Sequence, residues 1–258
     1  MNTIRELYNY REMIASLVRK DLRGRYKGSV LGFLWTFINP LFQLIIYTIV
    51  FSTILRSDIE KYYLFLFVAL IPWIFFSSAL VNGSTSVLAQ KSMVTKIYFP
   101  RAVLPIAYVT SSFINMLYCF IIVFVVVLIA GIKISFSALL CLPAIMLIEY
   151  IFAMGIALFT SSITVYFRDF EHILGIINMG WMYMTPIIYS IEIIPEKYKS
   201  FFYLNPMTYI ISSYREVLYY GRVPEMSLLI PSLVIGIVFL VTGLMFFNKL
   251  QKHFAEEL

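Results

Sequence analysis

The sequence predicts an all-α integral membrane protein: six transmembrane helices, an N-terminal amphipathic interface helix, and a re-entrant outer hairpin between helices 5 and 6. Three observations carry this. Of 258 residues, 61% are hydrophobic and only 13% charged, against roughly 45–50% apolar and about 25% charged in a soluble domain. The charges gather in short stretches between long apolar runs. Six of those runs reach the about 20 mostly apolar residues that a helix needs to cross the hydrocarbon core. The balance of 20 basic against 14 acidic side chains, +6 overall, excludes disorder and offers no nucleic-acid surface. Cys119 and Cys141 both lie in apolar runs, so neither a disulfide framework nor a zinc site is expected.

The whole chain, 1–258, reads as a single transmembrane domain. Residues 1–29 come first, with Leu7, Tyr10, Ile14, Leu17, Val18 and Leu22 at helical spacing and Arg11, Glu12, Arg19 and Lys20 opposite them. This segment should lie in the interface plane, either as an anchor or as a contact for a partner. The first span, Val30 to Leu55, follows seven basic residues and no small-residue cleavage site, and is expected to be retained rather than removed as a signal. It carries Thr36, Asn39, Gln43 and Tyr47 on one helical face. The fifth span, His172 to Ser190, repeats those offsets with Asn178, Trp181, Thr185 and Tyr189. Polar groups facing lipid cost several kcal/mol when unsatisfied, so both stripes should either wall a wet path or glue helix to helix.

The second span, Tyr63 to Asn82, leads into a loop, 84–102, with three basic residues and no acid. Its first part is expected to be helical and Pro100 to stop it. Lys91, Met93, Lys96 and Phe99 should form a basic, partly apolar knob, too long for a simple turn and suited to docking. Val103 to Ile132 and Phe136 to Ile163 are the third and fourth spans. They hold Asn115 and Glu149 near mid-depth, which are expected to meet, as a structural hydrogen-bonded pair or as a proton relay. Arg168, Asp169 and Glu171 form a dense charged cluster at a span end that a salt-bridged turn accounts for.

The outer segment 191–226 is too long and too aromatic for a solvated loop. Pro195 and the Asn205-Pro206 pair predict two short helices, with Asn205 as N-cap. Phe201, Phe202, Tyr203, Tyr209, Tyr214, Tyr219 and Tyr220 suit rings at headgroup level. Ser227 to Asn248 is the last span. An even number of spans puts both termini on one side. That side holds thirteen basic residues, against seven (Arg56, Lys61, Lys133, Lys197, Lys199, Arg215 and Arg222) on the other. Both termini are therefore predicted to be cytoplasmic.

Catalytic chemistry is not visible. Gly24-Arg-Tyr-Lys-Gly28-Ser lacks the spacing and ending of a phosphate loop, and His172 and His253 stand apart from any HExxH pattern. No metal or cofactor is expected on this chain.

Several segments in order, Arg25-Tyr-Lys-Gly-Ser-Val-Leu-Gly-Phe-Leu-Trp-Thr-Phe-Ile-Asn-Pro40, Ile71-Pro-Trp-Ile-Phe-Phe76, Lys96-Ile-Tyr-Phe-Pro-Arg101 with Leu104-Pro105, Tyr166-Phe-Arg-Asp169, Thr185-Pro-Ile-Ile-Tyr189 and Leu204-Asn-Pro206, resemble the membrane subunit of ABC-2 type exporters of O-antigen, teichoic acid and related polysaccharides. The resemblance implies a homodimer with two copies of a separate ATPase subunit carrying ATP and Mg, exporting an undecaprenyl-linked glycan across a bacterial plasma membrane. It also implies that the 84–102 loop is the main coupling element, with Arg101, Arg168 and Asp169 in the ATPase contact. By the same resemblance, Phe201, Phe202, Tyr203 and Tyr209 form an outer gate, and the first and fifth spans form the channel walls. Arg19, Arg23, Arg25 and Lys27 could attract the carrier's pyrophosphate or anchor to anionic lipid heads. Two other classes stay open: an ABC-2 exporter of small lipids or drugs, and a membrane-embedded enzyme acting on lipid-linked sugars, which would need a clustered polar site.

Overall fold

The computed structural model describes residues 2–25, 27–54 and 58–257. Tyr26, the predicted first-span end at Leu55 and the basic residue Arg56 lie outside the described residues. Within them the chain is helical, without strands. In order come α1 (Asn2–Asn9), α2 (Arg11–Gly24), α3 (Trp35–Thr48), α4 (Tyr62–Ser84), α5 (Lys91–Lys96), α6 (Val103–Ile129), α7 (Phe136–Tyr166), α8 (Phe170–Tyr183), α9 (Glu196–Phe202), α10 (Pro206–Leu218), α11 (Met226–Leu250) and α12 (Phe254–Glu257). A 3-10 turn leads into α3, and a π-helical stretch, Ile49–Ile54, continues it.

Among the described residues five segments are long and apolar enough to cross a bilayer: Gly32–Ser52, Tyr62–Ser84, Val103–Ile129, Phe136–Tyr166 and Met226–His253. The chain is a multi-pass membrane protein. The predicted fifth span does not form one continuous helix from His172 to Ser190. α8 stops at Tyr183, and its 14 residues rise about 21 Å against a core of about 30 Å. Pro186 explains the stop, because a proline pushes the residue before it out of helical geometry.

α4 is the hub. Its apolar residues run all round, which suits a helix with protein on every side, and from Leu64 to Ile71 no residue is more than 2% exposed. α3 and α11 lie at the periphery, with 17% of their apolar windows buried against 78% for α4. α1 and α2 pack a shared apolar face on the bundle, with Val18 buried and Leu7, Tyr10, Ile14 and Leu17 against the core, while Arg11, Arg19 and Lys20 stay exposed. The predicted amphipathic helix is therefore present.

α7 and α11 approach most closely at two glycines. A Cβ on Gly155 would fall on the backbone of Phe239 and Leu240, and one on Gly243 would fall on the Gly155 carbonyl. Small residues let membrane helices touch backbone to backbone. Edge-to-face ring pairs Phe152–Phe239 and Phe159–Phe246, with centroids 5.2 and 5.1 Å apart, flank the crossing. α6 ends in a Schellman motif, Gly131 N–H donating to Leu128 O and Ile132 N–H to Val127 O, with Gly131 at φ 70°. The Lys61 ammonium donates to the adjacent Ala130 carbonyl at 2.9 Å.

Because backbone rather than side chain meets the added atom, Gly243→Val is expected to cost about 3 kcal/mol or more. Thermal unfolding in detergent checks this. Gly180→Ala, where a Cβ meets nothing within 4 Å, is the control and should leave Tm near wild type.

Candidate functional site

The two polar stripes separate in the structure. On α3 the buried residues are Thr36, Pro40 and Leu44, an i, i+4 row instead of the predicted one. Thr36 is 2% exposed, its carbonyl accepts from the Cys119 thiol at 3.4 Å, and its own hydroxyl is enclosed without a partner. It faces α6, not a conduit. Asn39 and Gln43 are exposed and Tyr47 is half-buried.

On the α8 side, Trp181 and Thr185 are not free wall residues either. Trp181 Nε1 donates to Asn205 Oδ1 at 2.8 Å, and Asn205 Nδ2 donates to Thr185 Oγ1 at 2.8 Å and to the Met184 carbonyl at 3.2 Å. Asn205 Oδ1 also accepts from Met207 N–H at 3.0 Å, the N-cap bond its sequence context predicts. A single amide thus starts α10 and holds the frayed end of α8. Tyr189 donates to the Tyr183 carbonyl, and Asn178 Oδ1 is enclosed without a partner.

Arg215, counted among the outer basic residues, is buried at 5% exposure. Its guanidinium stacks 3.5 Å from the Phe65 ring centre and donates to the carbonyls of Pro186, Ile187 (2.6 Å) and Phe65 (3.4 Å). Tyr62 hydroxyl donates to the Ile188 carbonyl at 2.8 Å. Carbonyls left without helical partners in the turn after α8 therefore find side-chain donors.

Tyr214, expected at headgroup level, is fully buried and donates to Glu149 Oε2 at 2.7 Å. The partner of Glu149 is Tyr214 and not Asn115. α10 packs against α4, α7 and α11, which carries its ring inside the bundle. Asn115 instead lines a cavity of about 50 Å³ with Arg25, Ser78, Ser112 and Cys119.

Around the hairpin a cavity of about 890 Å³ is bordered by Glu192, Tyr203, Tyr209, Arg215, Glu216 and Tyr220. Tyr203 and Tyr209 pair at 5.3 Å, Phe202 meets Tyr189 edge-on at 6.4 Å, and Phe201 is exposed. Arg222 pairs with Glu216, whose carboxylate raises the pKa of the guanidinium.

At the opposite end, α5 presents Lys91 and Lys96 outward, followed by Ile97 and Tyr98, the latter 93% exposed. Phe99 is buried at 5% and does not belong to the knob. The helix gives way to extended backbone at Ile97, and Ile97 and Tyr98 both face out while Phe99 turns in. Met93 packs partly on the core. Arg101 does not project outward: it donates to the Gln251 carbonyl at 2.6 Å, next to the end of α11. Arg168 and Asp169 are exposed, but among the described residues the predicted salt bridge in that turn does not form.

Of the basic group, Arg19, Arg23 and Lys27 are exposed. Arg25 is committed, its Nε 2.9 Å from Asp21 Oδ2 and its terminal nitrogen donating to Ser112 Oγ at 2.9 Å. Arg23 and Lys27 border a cavity of about 590 Å³ with Phe33 and Tyr118. No metal-binding group of three His, Cys, Asp or Glu occurs among the described residues.

The family described as ABC-2 type transporter matches residues 12–219, from α2 through the end of α10. The chain belongs to the ABC-2 transporter membrane family. This ABC-2 chain is similar to the O-antigen export system permease protein RfbA of Myxococcus xanthus, 32% identical over 257 residues, covering 99% of this chain and 98% of that one. It is similar to RfbA of Klebsiella pneumoniae at 34% over 245 residues, 95% and 94% of the two chains. To the polysialic acid transport protein KpsM of Escherichia coli it is 23% identical over 218 residues, 82% and 83%.

Tyr214→Phe should cost about 1–3 kcal/mol by stranding the buried carboxyl, and adding Glu149→Leu should recover most of that loss, since removing both partners leaves nothing unsatisfied. A double-mutant cycle on thermal unfolding measures the coupling.

Proposed function

We propose that this chain is the permease subunit of an ATP-driven exporter that carries a lipid-linked polysaccharide, an O-antigen or teichoic-acid-like glycan, out across the bacterial plasma membrane. The observation that carries this reading is similarity over 94–99% of both lengths to chains named O-antigen export permeases. It is joined by a more distant likeness to polysialic acid and capsule polysaccharide export proteins.

In this reading the turn after α8, residues 184–190, completes a fifth crossing, giving six, with both termini cytoplasmic. α9 and α10 dip into the membrane from outside. The depth of α10 supports this: Tyr214 meets Glu149, the fourteenth residue of the 31-residue α7. Two copies associate to enclose the conduit. Asn39 and Gln43 on α3 support that arrangement, because amides left facing lipid lose their hydrogen bonds at a cost of several kcal/mol, and a two-fold partner covers them. Exposed rings such as Tyr183 add faces on which sugars stack.

The energy comes from two copies of an ATPase subunit that bind ATP and Mg. They dock on Lys91, Lys96, Ile97 and Tyr98, with Arg168 and Asp169 beside them. The substrate's undecaprenyl pyrophosphate meets Arg19, Arg23 and Lys27 on entry. The chain performs no bond chemistry of its own.

Co-expressed with the ATPase and reconstituted, the complex should hydrolyse ATP faster with the lipid-linked glycan than with the carrier alone. Equal rates for both would sink the glycan reading. Tyr98→Asp should weaken retention of the ATPase on an affinity column about tenfold or more while leaving Tm unchanged. Cysteines placed at Ser92 and Glu256 should label from the cytoplasmic side only, and one at Ser200 from the outside.

A further inference from the structure

We propose that a second cavity, of about 530 Å³ between α2, the loop after α4 and the start of α6, binds the phosphate-bearing headgroup of an anionic lipid. Its polar lining includes Lys20, Arg25, Asn82, Ser86 and Gln90. The volume falls within the range of small-molecule sites.

The chemistry points to an anion. Ser86 is only 8% exposed, and its hydroxyl is enclosed with no hydrogen-bond partner. A buried polar group left in this way normally has a ligand, ion or water to meet. Lys20 is exposed and stands in no ion pair among the described residues. The acid on the wall, Asp21, is compensated: its Oδ2 lies 2.9 Å from Arg25 Nε and accepts from Ser111 Oγ at 2.6 Å. What remains unspent is an ammonium, two side-chain amides and a hydroxyl, a set dominated by donors.

The surroundings point to a lipid. α2 is amphipathic and packs beside the ends of α4 and α6, the level at which a spanning helix leaves the hydrocarbon core. Leu17, Ala89, Leu104 and Ala107 supply an apolar wall for the glycerol and the start of an acyl chain. An occupied cavity ties α2 to the loop that carries α5, so lipid composition sets how firmly that loop is held. This site is separate from the one bordered by Arg23 and Lys27.

The test uses the full chain in phosphatidylcholine nanodiscs doped with phosphatidylglycerol or with undecaprenyl phosphate, and native mass spectrometry to count the lipid retained. Either anionic lipid should be retained in preference to phosphatidylcholine, and competition between them identifies the source of the phosphate. Lys20→Gln should weaken retention about fivefold. Ala89→Trp, which fills the mouth and keeps every charge, should remove one retained anionic lipid per chain, while Arg11→Gln, on α2 but off the cavity, should leave the count unchanged. The proposal is overturned by equal retention of neutral and anionic lipid, by full retention in a folded Ala89→Trp variant, or by equal losses in Lys20→Gln and Arg11→Gln.

Discussion

Everything around α9 and α10 depends on how backbone carbonyls are satisfied where a helix breaks inside a membrane protein. Each buried carbonyl out of reach of water must find a donor within the chain. Pro186 ends α8 early, and the carbonyls that follow it are taken up by the buried Arg215 guanidinium and by Tyr62, while Met184 and Thr185 are held by Asn205. Arg215 also bonds Phe65 at the start of α4. α10 is therefore bolted to α4 and to the 184–190 turn. Any opening at this end has to carry α10, the 184–190 turn and the start of α4 together or break several charge-assisted bonds at once.

The other end is fastened by a different device. Arg101 donates to the Gln251 carbonyl, Tyr166 donates to the Leu250 carbonyl at 2.9 Å, and Phe254 is fully buried between Tyr166 and Phe247. The C-terminal segment thus staples the 84–102 loop to the end of α7. α7 is in turn locked to α11 at Gly155 and Gly243, where backbones touch. A force applied at α5 reaches the longest helix through contacts that have little slack, since close-packed interiors transmit displacement instead of absorbing it.

Much of this was legible in the sequence and part of it was not, for reasons that attach to particular residues. Asn205 followed by Pro206 announces a helix start by local chemistry, and the cap bond forms. The 84–102 loop announces a short helix stopped by a proline, and α5 is there. Phe99 and Arg101 mislead because composition does not say which way a loop residue faces: Phe99 is buried, and Arg101 is held by the Gln251 carbonyl 150 residues away. Thr36, Trp181 and Thr185 left two readings open, wall or glue, because helical spacing identifies a common face without saying what covers it; their contacts with Cys119 and Asn205 fit glue. Tyr214 and Glu149 are 65 residues apart, a separation over which no periodicity operates. Depth alone suggests that Asn115 and Glu149 meet, and depth does not set rotation about the helix axis. A signal for Arg215 did exist: a lone arginine amid tyrosines in a segment too apolar to be solvated.

By itself the sequence determined what its composition and local chemistry control: a multi-pass helical membrane chain, helix starts such as the one capped by Asn205, the absence of a phosphate-loop pattern, and a motif order that placed it in its family. Hydrophobic length and capping act over a few turns of helix, so a linear reading captures them. Only the tertiary structure decided which polar side chains are spent on internal bonds and which remain free. Arg25, Arg101, Arg215, Trp181 and Thr185 are committed, while Lys20, Asn39, Gln43 and Tyr98 stay available. That division arises from long-range packing, where a donor's partner is chosen by which backbone carbonyl or carboxylate the fold brings within about 3 Å of it.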